Sequence, residues 1–360
     1  MGNDERRARP IRPGGDDYGT HRVVEPPAGL PQSAWRLDND FGRLFEGELL
    51  LAVESLNIDA ASFAQIEAEG RTDDEIAHII LRTVQERGKQ HNPVTGSGGM
   101  LLGRVLQVAP GRNDVLFAGV PLQVGARVAS LVSLSLTPLR IDRVRAVRRA
   151  SAQLDVDGEA VLFASSAYAP LPGDIADRVA LSALDVAGAA PQVARLVKPN
   201  HVVVVLGAGG KSGVLCALEA RRRGGAGAVI VGIEASAAAG DDLRALGSCD
   251  AVVVADARHP IAVRRAVLEA TGGREADVTF SCVNVSDAEA SAILSTRDRG
   301  VVYFFAMSTS FTKAALGAEG VGKDVDLLIG NGYARGHAEH TLAMLREIPE
   351  LRALFERRYG

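Results

Sequence analysis

"VVVVLGAGGKSG", residues 202–213, admits two readings. Gly210-Lys211-Ser212 matches the end of a nucleoside-triphosphate P-loop. That loop also needs a glycine five places before Gly210, so that enough backbone N–H groups wrap the phosphates. Val205 stands there, inside the valine run, so a P-loop is not expected. The alternative is the turn of a dinucleotide-binding unit. Gly207 and Gly209 follow the apolar strand at once, and Gly213 opens a helix. In such a turn the first glycine permits the bend. The second leaves room for a pyrophosphate against the backbone, and the third lets helix and strand approach closely. The free N–H groups and dipole of the helix N-terminus then favour the anion. Residues Gly207, Ala208, Gly209, Gly210, Lys211, Ser212 and Gly213 are therefore assigned to the cofactor.

The surrounding chain supports this reading. Apolar strands are expected at 201–207, 228–234, 251–255, 277–282, 301–306 and 326–330, separated by helical segments rich in Ala, Arg and Leu. Near-continuous branched apolar strands in this rhythm are what a parallel sheet covered on both faces requires. Glu234 ends the second strand, about 20 residues past the turn, where an acid accepts the ribose hydroxyls of NAD. No arginine follows it closely, and a carboxylate there repels the 2′-phosphate of NADP. NAD is therefore the expected cofactor. Ligands bind at the carboxyl ends of parallel strands, which adds Cys282, Val283, Asn284, Ala306, Met307, Ser308, Asn331, Gly332 and Tyr333. Cys282 is expected to line the adenosine side.

Upstream the texture differs. Residues 48–58, 101–109, 126–136 and 159–165 read as strands broken by irregular Gly, Pro and Asn punctuation, interrupted by one helix over 72–88. The fold class is thus α/β, a β-rich domain followed by a doubly wound parallel-sheet domain. The boundaries expected are a mobile, charged, Gly/Pro-rich tail at 1–17, a β-rich domain at 18–173 and a dinucleotide domain at 174–335. Residues 174–196 read as helical with a break at Pro191. The basic run 140–149 reads as a solvated or edge strand.

Composition narrows the function classes. Among 360 residues 47% are apolar and the net charge is −4, which argues against general affinity for nucleic acid or anionic membrane. Three cysteines far apart suit a reducing cytoplasm rather than a disulfide framework. The N-terminal residues lack the apolar core of a signal peptide, and no stretch of about 18 apolar residues suggests a membrane span.

The order of domains resembles the medium-chain dehydrogenases and reductases, whose first domain is GroES-like. Where the alcohol dehydrogenases of that group carry zinc ligands, this chain has Asn57-Ile58-Asp59 and Gly96-Ser97-Gly98, so no metal is expected. "YGTHRVVEP" (18–26), "SLNIDAASF" (55–63), "HNPVTGSGGMLLG" (91–103), "VLGAGGKSG" (205–213) and "IGNGYARGHAEHTL" (329–342) together resemble the L-erythro-3,5-diaminohexanoate dehydrogenase family over about residues 16–350. The resemblance implies oxidative deamination of a small diamino acid by NAD in lysine fermentation, by a homo-oligomer, with dimers common among such enzymes. It also implies that the C-terminal helices, about 336–360, return to the β-rich domain.

This chemistry needs a base for the C3 ammonium and partners for a carboxylate and two ammonium groups. Asp59 and His91 are the catalytic candidates, on segments that face the nicotinamide in the superfamily. Asp59 would hold an ammonium group. His91, or a water it orients, would take the proton, as imidazole titrates near neutral pH. Asn57, Asn92, Thr95 and Ser97 would supply hydrogen bonds. The competing readings are a helix N-cap for Asp59 and a structural histidine for His91. Arg22 is a candidate for the substrate carboxylate and Tyr168 for the cleft, against a solvated strand and a packed aromatic. His337 and His340 read as helix surface. Two other functions stay open: a zinc-free NADPH-dependent enone or quinone reductase, and a non-catalytic dinucleotide-binding protein.

Overall fold

The computed structural model describes residues 8–92, 96–112 and 122–360. The chain divides into two compact units, residues 1–185 with 358–360, and residues 186–357.

The first unit runs β1 (Ile11–Arg12), β2 (Val23–Glu25), β3 (Arg36–Leu37), β4 (Leu44–Phe45), β5 (Leu49–Asn57), α1 (Ala60–Glu69), α2 (Asp73–Arg87), β6 (Met100–Val108), β7 (Arg127–Ser130), β8 (Leu139–Arg148), β9 (Gln153–Leu162), β10 (Tyr168–Pro170) and α3 (Asp177–Leu184). Six strands form one antiparallel sheet in the order β10-β7-β6-β5-β9-β8. Central β5 is apolar on both faces because it is covered on both. Leu49, Leu51 and Val53 join Ile76, Ile80 and Val84 of α2 in one core, while Leu50 faces Phe41 and Leu44 in another. A register shift between Val53 and Ser55 changes the phase, so Leu56 and Ile58 rejoin the first core. Helix α2 is closed by a Thr72/Glu75 capping box and by Gly88 in the left-handed region. The basic run lies on edge strand β8, where Arg140, Arg143 and Arg148 meet Glu159, Asp157 and Asp155 of β9.

The second unit runs α4 (Ala189–Leu196), β11 (Val202–Leu206), α5 (Lys211–Gly224), β12 (Val229–Glu234), α6 (Ala237–Ala245), β13 (Ala251–Val254), α7 (Pro260–Thr271), β14 (Ala276–Ser281), α8 (Glu289–Ser295), β15 (Thr296–Phe304), α9 (Phe311–Val321), β16 (Asp326–Ile329), α10 (His337–Glu347) and α11 (Pro349–Tyr359). All six strands are parallel, in the order β13-β12-β11-β14-β15-β16. This is a doubly wound sheet whose strand order reverses between β11 and β14.

Four boundaries differ from the sequence reading. Part of the expected tail is ordered: β1 pairs with β4, and the Arg9 N–H donates to Gln107 Oε1 at 2.6 Å. Helix α3 belongs to the first unit, tied there by the Gln153 amide to Ser182 Oγ at 3.1 Å and by Arg127 to Asp177 at 2.6 Å. The helical break precedes Pro191, which sits in the first turn of α4, where its missing N–H costs nothing. Residues 336–357 group with the second unit and not with the first. Helix α10 is bound there by Thr341 Oγ1, which donates to Ala187 O at 3.1 Å. Among the described residues no helix is long and apolar enough to cross a membrane.

Candidate functional site

The glycine turn lies between β11 and α5, at the point where the strand order reverses. Gly207 has φ +71°, a conformation that strains other residues. A Cβ at Gly213 would lie 2.1 Å from Gly207 O, so the close packing of turn on helix excludes any side chain there. Helix α5 starts at Lys211 with Gly210 as its N-cap and no side-chain cap, and its positive dipole end faces the turn. Ala208 is buried beneath the turn. Gly207, Gly210, Glu234, Cys282, Val283 and Asn284 line a cavity of about 310 Å³ at the carboxyl ends of β11, β12 and β14. The Glu234 carboxylate is held in place by two backbone donors, Gly209 N at 2.9 Å and Ser236 N at 3.0 Å. A turn free of side chains, a helix N-terminus and a fixed acid on the next strand fit a dinucleotide.

Two charged residues of this cavity were not picked out from the sequence, Asp256 and Arg258. They follow β13, which pairs with β12 so that Glu234 stands beside Val254. The absence of a nearby arginine after Glu234 thus holds along the chain but not in space. Arg258 is engaged by Asp256, with Nη2 to Oδ2 at 2.6 Å and Nε to Oδ1 at 3.0 Å. That guanidinium holds the Asp256 carboxyl down to about 2.

The other cofactor candidates sit on loops beyond this cavity. Ser308 Oγ donates to Val283 O at 2.9 Å, joining the loops after β15 and β14, with Ala306 buried and Met307 exposed beside it. Asn331 caps the turn after β16 by accepting from Tyr333 N at 3.0 Å, and Gly332 packs against Gly188. Tyr333 is exposed, its ring edge-on to His337 at 5.1 Å. His337 is buried rather than on the helix surface, and His340 faces the buried Glu219 at 3.3 Å. Cys282 lies 3.7 Å from Cys216, sulfur to sulfur.

In the first unit, Asp59 ends the strand-to-helix turn after β5 and is the N-cap of α1. Its carboxylate accepts from Ser62 N at 3.0 Å, from Ser62 Oγ, and from Ser97 Oγ at 2.9 Å. Asn92 Nδ2 donates in turn to Ser62 Oγ at 2.8 Å. Four residues singled out by different motifs or by none thus form one network: Asp59, Ser62, Asn92 and Ser97. Ser62, the hub, was missed; its position at the third residue of α1 is the signal that places it against an N-cap. Asn57 is fully buried and accepts from Gln153 Nε2 at 3.2 Å. Thr95 lies outside the described residues.

His91 does not have the properties expected of a base. Its Nδ1 lies 2.8 Å from Arg87 Nη1, and a guanidinium only donates, so Nδ1 accepts and Nε2 carries the hydrogen. Burial, then Lys89 and Arg87, push its pKa down to about 4. At neutral pH His91 is a neutral hydrogen-bond donor.

Arg22 is not available to a substrate. It is buried, and its guanidinium is fully used: Nε and Nη2 grip Glu48 at 2.8 Å each, Nη1 meets Asp38 and Asp40 O, and Nη2 also reaches Arg43 O. Tyr168 packs against the first core from edge strand β10. His21 bridges Glu48 at 2.9 Å and Asp16 at 3.1 Å. Burial opposes its charge, but the bonds to Glu48 and Asp16 outweigh that and raise its pKa. A raised histidine stabilises the fold below about pH 6.5, and the gain fades as pH rises through the folded value. His21→Gln should therefore lower the melting temperature at pH 6 and less so at pH 9. An equal loss at both would show that His21 acts only by packing.

The model of the L-erythro-3,5-diaminohexanoate dehydrogenase N-terminal domain matches residues 21–172. A protein named L-erythro-3,5-diaminohexanoate dehydrogenase from Acetoanaerobium sticklandii is 49% identical over 346 residues, 96% of this chain and 99% of that protein. One of the same name from Fusobacterium nucleatum subsp. nucleatum is 48% identical over the same shares. Among solved structures, an alcohol dehydrogenase from Thermotoga maritima superposes with a TM-score of 0.54 at 15% identity, over 85% of this chain and 83% of that one. A crotonyl-CoA carboxylase/reductase in complex with NADP gives 0.54 at 17% identity, over 90% and 84%. At such low identity these structures show the fold alone.

Proposed function

This chain belongs to the L-erythro-3,5-diaminohexanoate dehydrogenase family, and we propose from that premise that it oxidises L-erythro-3,5-diaminohexanoate at C3. The full reaction is substrate, NAD⁺ and water to 5-amino-3-oxohexanoate, ammonia, NADH and a proton. Membership makes the chain a dehydrogenase with a nicotinamide dinucleotide and a small-molecule substrate. The observation that carries the finer reading is the 49% identity over 96% of the chain.

The nicotinamide, when bound, accepts the hydride from C3. The residues of the chain supply the rest. Gly207, Gly210 and the start of α5 receive the pyrophosphate, and Glu234 receives the ribose hydroxyls. Asp59 holds the C3 amino group and takes its proton, the role His91 cannot fill once Nδ1 is committed to Arg87. Three donors from Ser62 and Ser97 fix the Asp59 carboxylate, and Oδ1 accepts only one of them, from Ser62 N. Loss of the proton from nitrogen is what permits hydride to leave C3 and an iminium to form, which water then hydrolyses.

NAD is preferred because Glu234 meets the 2′-position with a negative charge, while Asp256 neutralises Arg258. The test is to mix protein, 3,5-diaminohexanoate and either coenzyme, and to follow NADH and ammonia together. Turnover with NAD⁺ well above that with NADP⁺ is expected. Removing the like charge in Glu234→Gln should lower the NAD:NADP ratio of kcat/KM by about tenfold or more. Equal turnover with both coenzymes in the unaltered protein would refute the role given to Glu234. No turnover on the diamino acid would refute the substrate.

A further inference from the structure

Loss of Arg22 as a candidate leaves the substrate carboxylate without a partner, and a second cavity supplies one. It lies in the first unit between α1, α2 and residues 90–92, with a volume of about 200 Å³. Ser62, Thr83, Arg87, Gln90, His91 and Asn92 are among its lining residues, and Ser62 and Asn92 belong to the Asp59 network. Arg87 ends α2 with its guanidinium 3.6 Å above the Trp35 ring and one nitrogen on His91. Among the described residues no carboxylate pairs with it. Lys89, fully buried, donates only to the carbonyls of Pro31 and Gln32. Among the described residues, therefore, two cations two residues apart make no salt bridge to a carboxylate, and Glu86 acts on Arg87 only through space. Burial, then the Arg87 charge, lowers the Lys89 pKa to about 8. Gln90 is 2% exposed, and its Oε1 has no hydrogen-bond partner among the described residues. That unpartnered atom is an acceptor, so toward an anion the amide presents Nε2–H, which a half-turn of the side-chain amide brings to the same place. The tautomer fixed by Arg87 adds a third donor, His91 Nε2–H.

The geometry points to this cavity as the seat of the substrate carboxylate, held by Arg87 with the Gln90 amide and His91 Nε2–H. This rests on the reaction proposed above. The carbonyl end of α2 repels an anion with about half a charge, and two full positive charges outweigh it. Of the acids that line the cavity, Glu69 is turned to Arg82 at 3.6 Å, and Glu86 stands exposed at the rim. Ser62 belongs both to the cavity wall and to the Asp59 carboxylate, so the two anchors are one hydrogen bond apart. A β-amino acid separates its carboxylate from its reacting nitrogen by one carbon more than an α-amino acid does. Two fixed anchors of opposite charge therefore select the spacing as well as the groups.

The test measures kcat, KM and melting temperature for Arg87→Gln and Gln90→Met, on 3,5-diaminohexanoate and on its C1 carboxamide. The unaltered enzyme should show a KM for the carboxamide about 10- to 100-fold higher. Both variants should raise KM for the acid by about tenfold or more at nearly constant kcat, and lose the discrimination against the carboxamide. Gln90→Met removes a buried acceptor that has no partner among the described residues, so its melting temperature should not fall, and it carries the test if Arg87→Gln fails to fold. An unchanged KM in the variants, or an equal rise for acid and carboxamide, overturns this inference and leaves the reaction standing. Absence of turnover in the unaltered enzyme overturns both.

Discussion

Turnover by an Asp59→Asn variant should fall by about 10²- to 10⁴-fold, with coenzyme affinity and stability nearly unchanged. The substitution separates two roles that the same side chain plays. As the N-cap of α1, Asp59 accepts from Ser62 N at 3.0 Å. Asparagine caps helices about as well as aspartate, and the Ser62 and Ser97 hydroxyls can turn to accept from its Nδ2, so the fold should lose about 1 kcal/mol or less. As the acceptor for the C3 amino group, however, an amide oxygen carries no charge and takes no proton. A purely structural Asp59 would thus give a stable variant with full activity. The readouts are kcat, an NADH titration and a thermal melt on one preparation. Full turnover would remove Asp59 from the chemistry.

Glu48→Gln should cost about 3–5 kcal/mol in a denaturant melt. Glu48 and Arg22 are both buried, and the pair is bidentate. Burial works against the charge on Glu48, yet the bonds from Arg22 and His21 outweigh it and lower the pKa. Removing the carboxylate strands a buried guanidinium whose remaining partners are backbone carbonyls and the half-open Asp38. A Glu48→Leu/Arg22→Met double variant should recover most of the loss, because both charges then leave the interior together. The lowered Glu48 pKa sets the acid limb of stability: its contribution is present above about pH 4.5 and is lost as pH falls through the folded value. A loss under 1 kcal/mol in the single variant would mean that the interior tolerates the lone cation.

The parallel-sheet unit was largely legible from residues 201–330, because a strand buried on both faces writes itself as an unbroken branched run. The role of Gly213 was legible for the same reason: backbone meets backbone at 2.1 Å from where a Cβ would stand. What escaped were relations across the chain. Arg22 reads as a solvated residue because Glu48 is 26 positions away. Arg258 is 24 positions past Glu234, yet parallel pairing of β12 with β13 sets both on one cavity. His91 looks like an ordinary imidazole until Arg87 is folded onto its Nδ1. Helix α3 carries the periodicity of the helices after it, and only its ties to Gln153 and Arg127 assign it to the first unit. Motif and periodicity thus located the segments of the site, whereas the charge state of each group depended on its neighbours in space.

The fate of the hydrogen on C3 tests the central claim most directly. Substrate deuterated at C3 would be turned over with NAD⁺, and the coenzyme and ammonia analysed together by mass spectrometry and assay. The account predicts one deuterium in each NADH and one ammonia released for each NADH formed. Deuterium lost to water, or ammonia released without reduced coenzyme, would contradict it.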